Sequence, residues 1–262
     1  MRHSFLDRYR QGTSPIHRLD PRLKLLATLA FILSVTMTPA GRWSAFALWA
    51  VLAVGLVLLA QVPLSEGLRR SAVVLPFAGI VALSLPFTQE GHVLWSRSVF
   101  GLTLTITDAG LALFATVLLK AWLSVMVSGL LVATTPFPDL LQAMRSLRVP
   151  AVLTATISFM YRYLFVLTDE AQRLQMARTA RAVGPGRTVW WRARVLGGMI
   201  GSLFIRSYER SERVYAAMLA RGFRGEVRSL TRLTWRWRDT WAGLAWLAVL
   251  VAVAALGRME GL

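Results

Sequence analysis

The chain has 262 residues, 55% of them hydrophobic and 16% charged, with 30 Lys and Arg against 13 Asp and Glu for a net charge of +17. An apolar share above that of ordinary globular domains points to a bilayer, and so large a basic excess points to nucleic acid, anionic lipid or an acidic protein partner. Cysteine is absent, which excludes disulfides, thiolate zinc sites, iron–sulfur clusters and a cysteine nucleophile. Met1 to Asp20 is polar and basic and lacks the apolar core and cleavage site of a signal peptide, so it is expected to stay on the chain.

A spanning helix needs about 20 mostly apolar residues, and five runs approach that. They are Leu25–Met37, extendable to Leu23 and Thr38, then Trp43–Leu59, Ser71–Phe87, Ala109–Ala133 and Trp241–Leu256. The first three are short and call for thin bilayer or partner helices. Between the last two lies Thr134–Thr240, with 18 arginines and 7 acids. The reading is an all-α membrane protein: residues 1–133 hold an N-terminal segment and four spans, 134–238 form a cytoplasmic or interfacial block of amphipathic helices, and 239–262 make the fifth span. Six basic residues precede Leu25 and two lie in Gln61–Arg70, against one each in Thr38–Arg42 and Thr88–Asp108. By the positive-inside rule the N-terminus and the basic block are cytoplasmic and the C-terminus faces outward, in the cell membrane.

Inside the block, Asp139–Val149 reads as an amphipathic helix ended by Pro150. Val152–Val183 reads as one long helix, apolar and then charged, stopped at Gly184-Pro185-Gly186. Val195–Ile205 is too short to span and is placed at the interface, with Gly197 and Gly201 permitting close approach. A third amphipathic helix runs from about Phe204 to Arg221 and stops at Gly222.

No catalytic, cofactor or metal site is expected. His3, His17 and His92 lack metal-ligand spacing, and Gly184-Pro185-Gly186-Arg187-Thr188 lacks the arrangement that cradles phosphate, so ATP hydrolysis would belong to another subunit. Lys120 lies about 12 residues, or about 18 Å of helix, from either end of its span. Two readings stand for it: a buried polar contact with another helix or subunit, or a span whose ends lie elsewhere.

Most of the arginines fit positive-inside topology and attraction to anionic lipid. Arg181, in Ala180-Arg181-Ala182, and Arg221, in Ala220-Arg221-Gly222, stand apart. Each falls in the last turn of an expected helix, where a cation complements the helix dipole by about 0.3–1 kcal/mol. Small neighbours leave each guanidinium projecting from a slim tip, suited to a groove on another protein with carboxylates to pair with. Arg178, one turn earlier, is a secondary contact or simply solvated.

The stretch Ser14-Pro15-Ile16-His17-Arg18-Leu19-Asp20-Pro21-Arg22-Leu23-Lys24-Leu25 resembles the entry into the first span of the transmembrane T components of energy-coupling factor (ECF) importers, of the CbiQ type. So do Thr134-Thr135-Pro136, Asp139-Leu140-Leu141, Leu147-Arg148-Val149-Pro150 and Tyr161–Leu167, and the two Ala-Arg-small triplets resemble the family's signature pair. The resemblance runs from about residue 5 to 228. It implies a non-catalytic subunit whose coupling helices seat Arg181 and Arg221 in two ATP-binding cassette ATPases. It also implies a substrate-binding membrane subunit of the CbiM kind, with room for a small accessory membrane subunit, and cobalt or nickel as cargo. The rival readings are a T component for a vitamin, a membrane enzyme acting on lipid or isoprenoid head groups, and a basic scaffold for lipid or nucleic acid. The enzyme would need clustered acids that the sequence lacks, and nucleic acid is not an expected partner.

Overall fold

The computed structural model describes residues 9, 12–89, 91–99, 102–181, 188–225 and 233–259. They form two compact units: Ser4–Ala143 together with Leu233–Leu262, and Met144–Arg232.

The first unit is a helical bundle. Its elements are α1 (Pro21–Met37), α2 (Trp43–Leu59), α3 (Leu64–Ala72), α4 (Val74–Ala82), α5 (Leu85–Thr88), α6 (Asp108–Thr134), the start of α7 (Phe137–Ser146) and, for closure, α10 (Trp237–Met259). The all-α expectation holds, with one addition among the described residues: the connection before α6 folds into a hairpin, β1 (Val93–Val99) antiparallel to β2 (Leu102–Thr107). Asp108 fastens its base, because its amide donates to the His92 carbonyl and its carboxylate accepts from the His92 amide at 3.0 Å.

Four helical stretches are long and apolar enough to cross a membrane, 64–88, 108–134, 151–181 and 237–256, and Trp43–Leu59 is a shorter apolar helix. The third expected span is therefore broken into α3, α4 and α5 over 64–88. Pro76 and Pro86 explain the breaks, since each lacks an amide hydrogen and its ring clashes with the carbonyl four residues back, at Ala72 and Ala82.

α6 is the axis of the bundle and contacts each of α1 to α5. Its buried residues Thr116, Leu123, Val127, Leu130 and Thr134 recur at intervals of seven or of three and four, the stripe by which two helices pack at a shallow angle. α2 is apolar all round, so polarity cannot choose its inner face. Packing does: Ala45, Phe46, Trp49, Ala53 and Val57 are buried at helical spacing, while Leu48, Val51, Leu58 and Leu59 face out.

The centre of the core is the fully buried Phe31 of α1, edge-on to Trp49 at 5.5 Å and stacked on Trp246 of α10 at 6.2 Å. Both indole N–H groups are satisfied, Trp49 donating to Thr38 Oγ1 at 3.1 Å and Trp246 to the Ala27 carbonyl at 3.2 Å.

The second unit is built on two long helices, α8 (Ala151–Arg181) and α9 (Val189–Ala220). The first matches the expected long helix. The second replaces the two shorter ones expected at Val195–Ile205 and Phe204–Arg221, because nothing between them breaks a helix. Gly197, Gly198 and Gly201 are absorbed at about 1 kcal/mol each, and a Cβ at any of them would meet nothing within 4 Å. The close approach expected at Gly197 and Gly201 is therefore not made within the described residues. The expected stop at 184–186 lies outside those residues.

Gly110 does mark a tight contact between helices. A Cβ at Gly110, in the first turn of α6, would sit 2.8 Å from the Leu85 carbonyl oxygen and from Pro86 Cα. Gly110→Ala should push α5 away from α6 and destabilise by about 1–3 kcal/mol, seen as a lower midpoint in thermal unfolding of the detergent-purified chain.

Candidate functional site

α8 and α9 run antiparallel. Glu170 accepts from Arg206 Nη1 at 2.9 Å near mid-length, Arg178 lies 5.8 Å over the Trp191 ring near one end, and Phe159 meets Phe223 edge-on near the other. The ion pair is half open to solvent and contributes at most about 1 kcal/mol, and the cation–π contact about 0.5–1 kcal/mol. Arg178 thus ties the end of α8 to the start of α9. A groove of about 560 Å³ runs between the helices, lined by Phe159, Tyr163, Leu167, Val214, Tyr215 and Met218 among others.

This arrangement puts the two arginine tips far apart. Arg181 is the last residue of α8 and Arg221 is the C-cap of α9. Because α8 ends beside the start of α9, the tips point from opposite ends of the pair. The 30 residues from Trp191 to Arg221 correspond to about 45 Å of helix. Arg181, Arg221 and their neighbours Ala180 and Ala220 are exposed. Among the described residues neither guanidinium has a hydrogen-bonded or ionic partner. Ala182 lies outside the described residues.

The second tip has a defined cap. Gly222 has φ +79°, its amide donates to the Leu219 carbonyl at 2.9 Å, and the Phe223 amide reaches back to Met218 at 3.0 Å. This is the Schellman pattern, in which glycine avoids the strain of a left-handed backbone. Phe223 packs over Met218 in the groove wall. The end of α7 closes with the same pair of bonds, Arg148 to Arg145 and Val149 to Met144, yet Arg148 takes φ +66° without being glycine.

The bundle has a polar centre of its own, at the end where α1 and α10 begin and α6 finishes. Asp20 caps α1 by accepting from the Arg22 amide at 2.8 Å, and Pro21 supplies the first helical turn. Asp239, in the first turn of α10, accepts from the amide of its own cap residue Arg236 at 2.8 Å and from that of Asp20 at 3.2 Å. Lys24 Nζ donates to the carbonyls of Thr134 at 3.0 Å and His17 at 3.2 Å. Ser14 and His17 complete the turn through Oγ and Nδ1 at 2.6 Å. Asp20, Lys24, Thr134 and Asp239 are all buried. Burial raises the Asp139 carboxyl above its ordinary range, while the Lys24 ammonium draws it back down.

Of the residues singled out in the sequence, Arg178, Arg181 and Arg221 belong to the helix pair. Lys120 is half-buried, and its ammonium donates to the Thr36 carbonyl at 2.9 Å, near the end of α1. It contacts another helix of the same chain. Sequence reasoning passed over Asp20, Lys24 and Asp239, whose only signal was the Asp-Pro pair that opens a helix.

A family described as "Cobalt transport protein", CbiQ, matches residues 12–233. The energy-coupling factor transporter transmembrane protein EcfT of Listeria innocua is 32% identical over 92% of this chain and 93% of its own length. That of Streptococcus thermophilus is 32% identical over 93% and 95%, and an uncharacterized protein, MJ1571, of Methanocaldococcus jannaschii is 27% identical over 96% and 85%.

Replacing Gly222 by alanine should cost about 1–2 kcal/mol and speed amide hydrogen exchange in 215–225 about fivefold or more, whereas Arg148→Gly should slow exchange at the end of α7. Equal exchange in Gly222→Ala and the unaltered chain would show that the cap does not hold the tip.

With the match covering most of its length, the chain belongs to the CbiQ family and is a transmembrane T component of the energy-coupling factor transporters.

Proposed function

We propose that this chain transmits the motions of two ATP-binding cassette ATPases to a substrate-binding membrane subunit, with Arg181 and Arg221 each seated in a groove on one ATPase. The observation that carries this reading is the antiparallel α8–α9 pair with an exposed arginine between small residues at each far end. Two antiparallel helices are related by an approximate twofold axis across the pair. A dimer of like ATPases is related by a twofold axis too, so it offers one groove twice to a helix pair that offers one kind of tip twice. Lipid attraction explains neither the pairing nor the small neighbours.

The basic block belongs on the cytoplasmic face with the N-terminus, and the C-terminus belongs outside. Supporting this, Thr134 and Asp239, which bracket the block, meet at the same end of the bundle as Asp20. The chain therefore leaves and re-enters the bundle on one side. α8 is apolar enough over part of its length to cross a membrane, but a crossing would require α9 to cross back. α9 carries Arg192, Arg194, Arg206, Glu209, Arg210, Glu212 and Arg213, too many charges for a span. The apolar part of α8 therefore lies at the interface or against a partner.

Met160 of α8 and Ile200, Phe204, Ile205 and Tyr208 of α9 are large apolar side chains left exposed, and they suit the substrate-binding membrane subunit. Cobaltous ion is the cargo reading, with nickel its neighbour, on the description of the matched family. The chain performs no catalysis, and ATP hydrolysis falls to the partners.

Arg181→Glu and Arg221→Glu, singly and together, should leave membrane insertion unchanged. Losing one partner of a buried ion pair at an interface costs about 2–5 kcal/mol, so each should weaken ATPase recovery on co-purification by about 30-fold or more. The double variant should take up no radiolabelled cobaltous ion, and full uptake by it would refute the docking role.

A further inference from the structure

The polar centre at the Lys24 end is not needed for docking, and its position along the chain gives it another use. Thr134 is the last residue of α6, from which the chain passes into α7 and, after Ala143, out of the bundle to α8 and α9, and Asp239 stands in the first turn of α10 after it returns. Both residues are bonded to one short segment: Lys24 holds the Thr134 carbonyl, and Asp239 holds the Asp20 amide. The bonds end on backbone groups, so they fix the path of the chain rather than one rotamer.

We propose that the Asp20–Lys24 turn is a clasp through which displacement of the coupling helices is delivered to α1, α6 and α10 as one body, with Lys24, Asp20 and Asp239 as positioning residues for energy coupling. This rests on the reading that ATPases drive α8 and α9.

Three features support a mechanical role. The carboxylates of Asp20 and Asp239 lie between the N-termini of α1 and α10, and the Lys24 ammonium lies at the C-terminus of α6, so every charge sits at the helix end whose dipole favours it. All three side chains are buried, where such contacts are stronger than in water. And the clasp joins residues more than a hundred apart in sequence, one at the end of α6 before the chain reaches its exit after Ala143 and one shortly after its return at Leu233.

The test uses the chain purified with its ATPase subunits in lipid nanodiscs. The chain contains no cysteine, so Leu26→Cys and Val132→Cys, both at exposed positions on α1 and α6, can carry spin labels that flank the clasp. In an otherwise unaltered chain the distance distribution should stay narrow with and without ATP and vanadate. Lys24→Met keeps the volume of the stem and removes the donor. With it the distribution should at least double in width when ATP and vanadate are added, while the ATPases still co-purify. A distribution as narrow as that of the unaltered chain overturns the proposal, and so does broadening that ignores nucleotide, which would mark a purely structural bond. Should Lys24→Met fail to insert, Asp239→Asn should produce the same nucleotide-dependent broadening between labels at Leu26→Cys on α1 and Leu244→Cys, an exposed position on α10. Failure of the unaltered chain to recover ATPases would instead count against the docking reading.

Discussion

Inside hydrocarbon, the free amides that open a helix and the free carbonyls that end it have no water to bond, and each left unpaired costs several kcal/mol. The bundle answers this constraint by placing opposite helix ends side by side. α1 and α10 start where α6 stops, so two carboxylates can serve the amides of the first pair while one ammonium serves a carbonyl of the third. The same logic recurs in the middle of α6. α1 has only 17 residues, about 25 Å of helix, against 27 in α6, so its last carbonyls fall beside the middle of the longer helix. Lys120 stands there and donates to Thr36. A charge that would be expensive facing lipid becomes the cap of a short helix.

The two units differ in how far they satisfy themselves. In the bundle, Phe31, Val35, Trp49 and Leu123 are sealed from solvent and the indole N–H groups of the core are bonded. In the helix pair, α9 buries no residue and α8 buries only Thr154 and Ala155. The Glu170–Arg206 ion pair, the Arg178–Trp191 contact and the Phe159–Phe223 contact are each small beside the entropy of holding 63 residues of helix in place.

Much of this architecture was legible. Apolar runs located α2, α6 and α10, and the Asp20-Pro21 pair marks the start of α1 as soon as its capping chemistry is read. The long α8 followed from an apolar half joined to a charged half with no breaker between. What escaped had physical reasons. Pro76 and Pro86 break a stretch whose composition reads as one span, and hydropathy does not register backbone amides. The hairpin at 93–107 was missed because topology counting treats a connection between spans as featureless. α9 was split in two because its uncharged stretch, Val195–Ile205, is too short to span and was read apart from the arginine-rich stretch after it, although nothing between them ends a helix. Lys24 looked like one more positive-inside charge, since its partner is a backbone carbonyl 110 residues away, and no sequence pattern announces such a bond. The arginine tips stood out because their neighbours are small, a signal of shape rather than charge.

These contrasts give the fold a division of labour. A bundle whose helix ends are bonded to one another resists internal sliding, because any shift along α6 would strand Lys24 and Thr134 together. A helix pair with few internal bonds keeps its two tips apart by the stiffness of its helices and leaves the rest of its surface for other chains. Force entering at either arginine would travel along a helix of more than thirty residues, and helices transmit it well because their hydrogen bonds lie along the axis. It would reach the bundle through α7 on one side and the residues before Asp239 on the other, both leading to the end where Asp20, Lys24 and Asp239 are buried. The sparse packing of one unit and the tight capping of the other are thus complementary, and under the proposed coupling role they would make the chain rigid in its bundle and open along its helix pair.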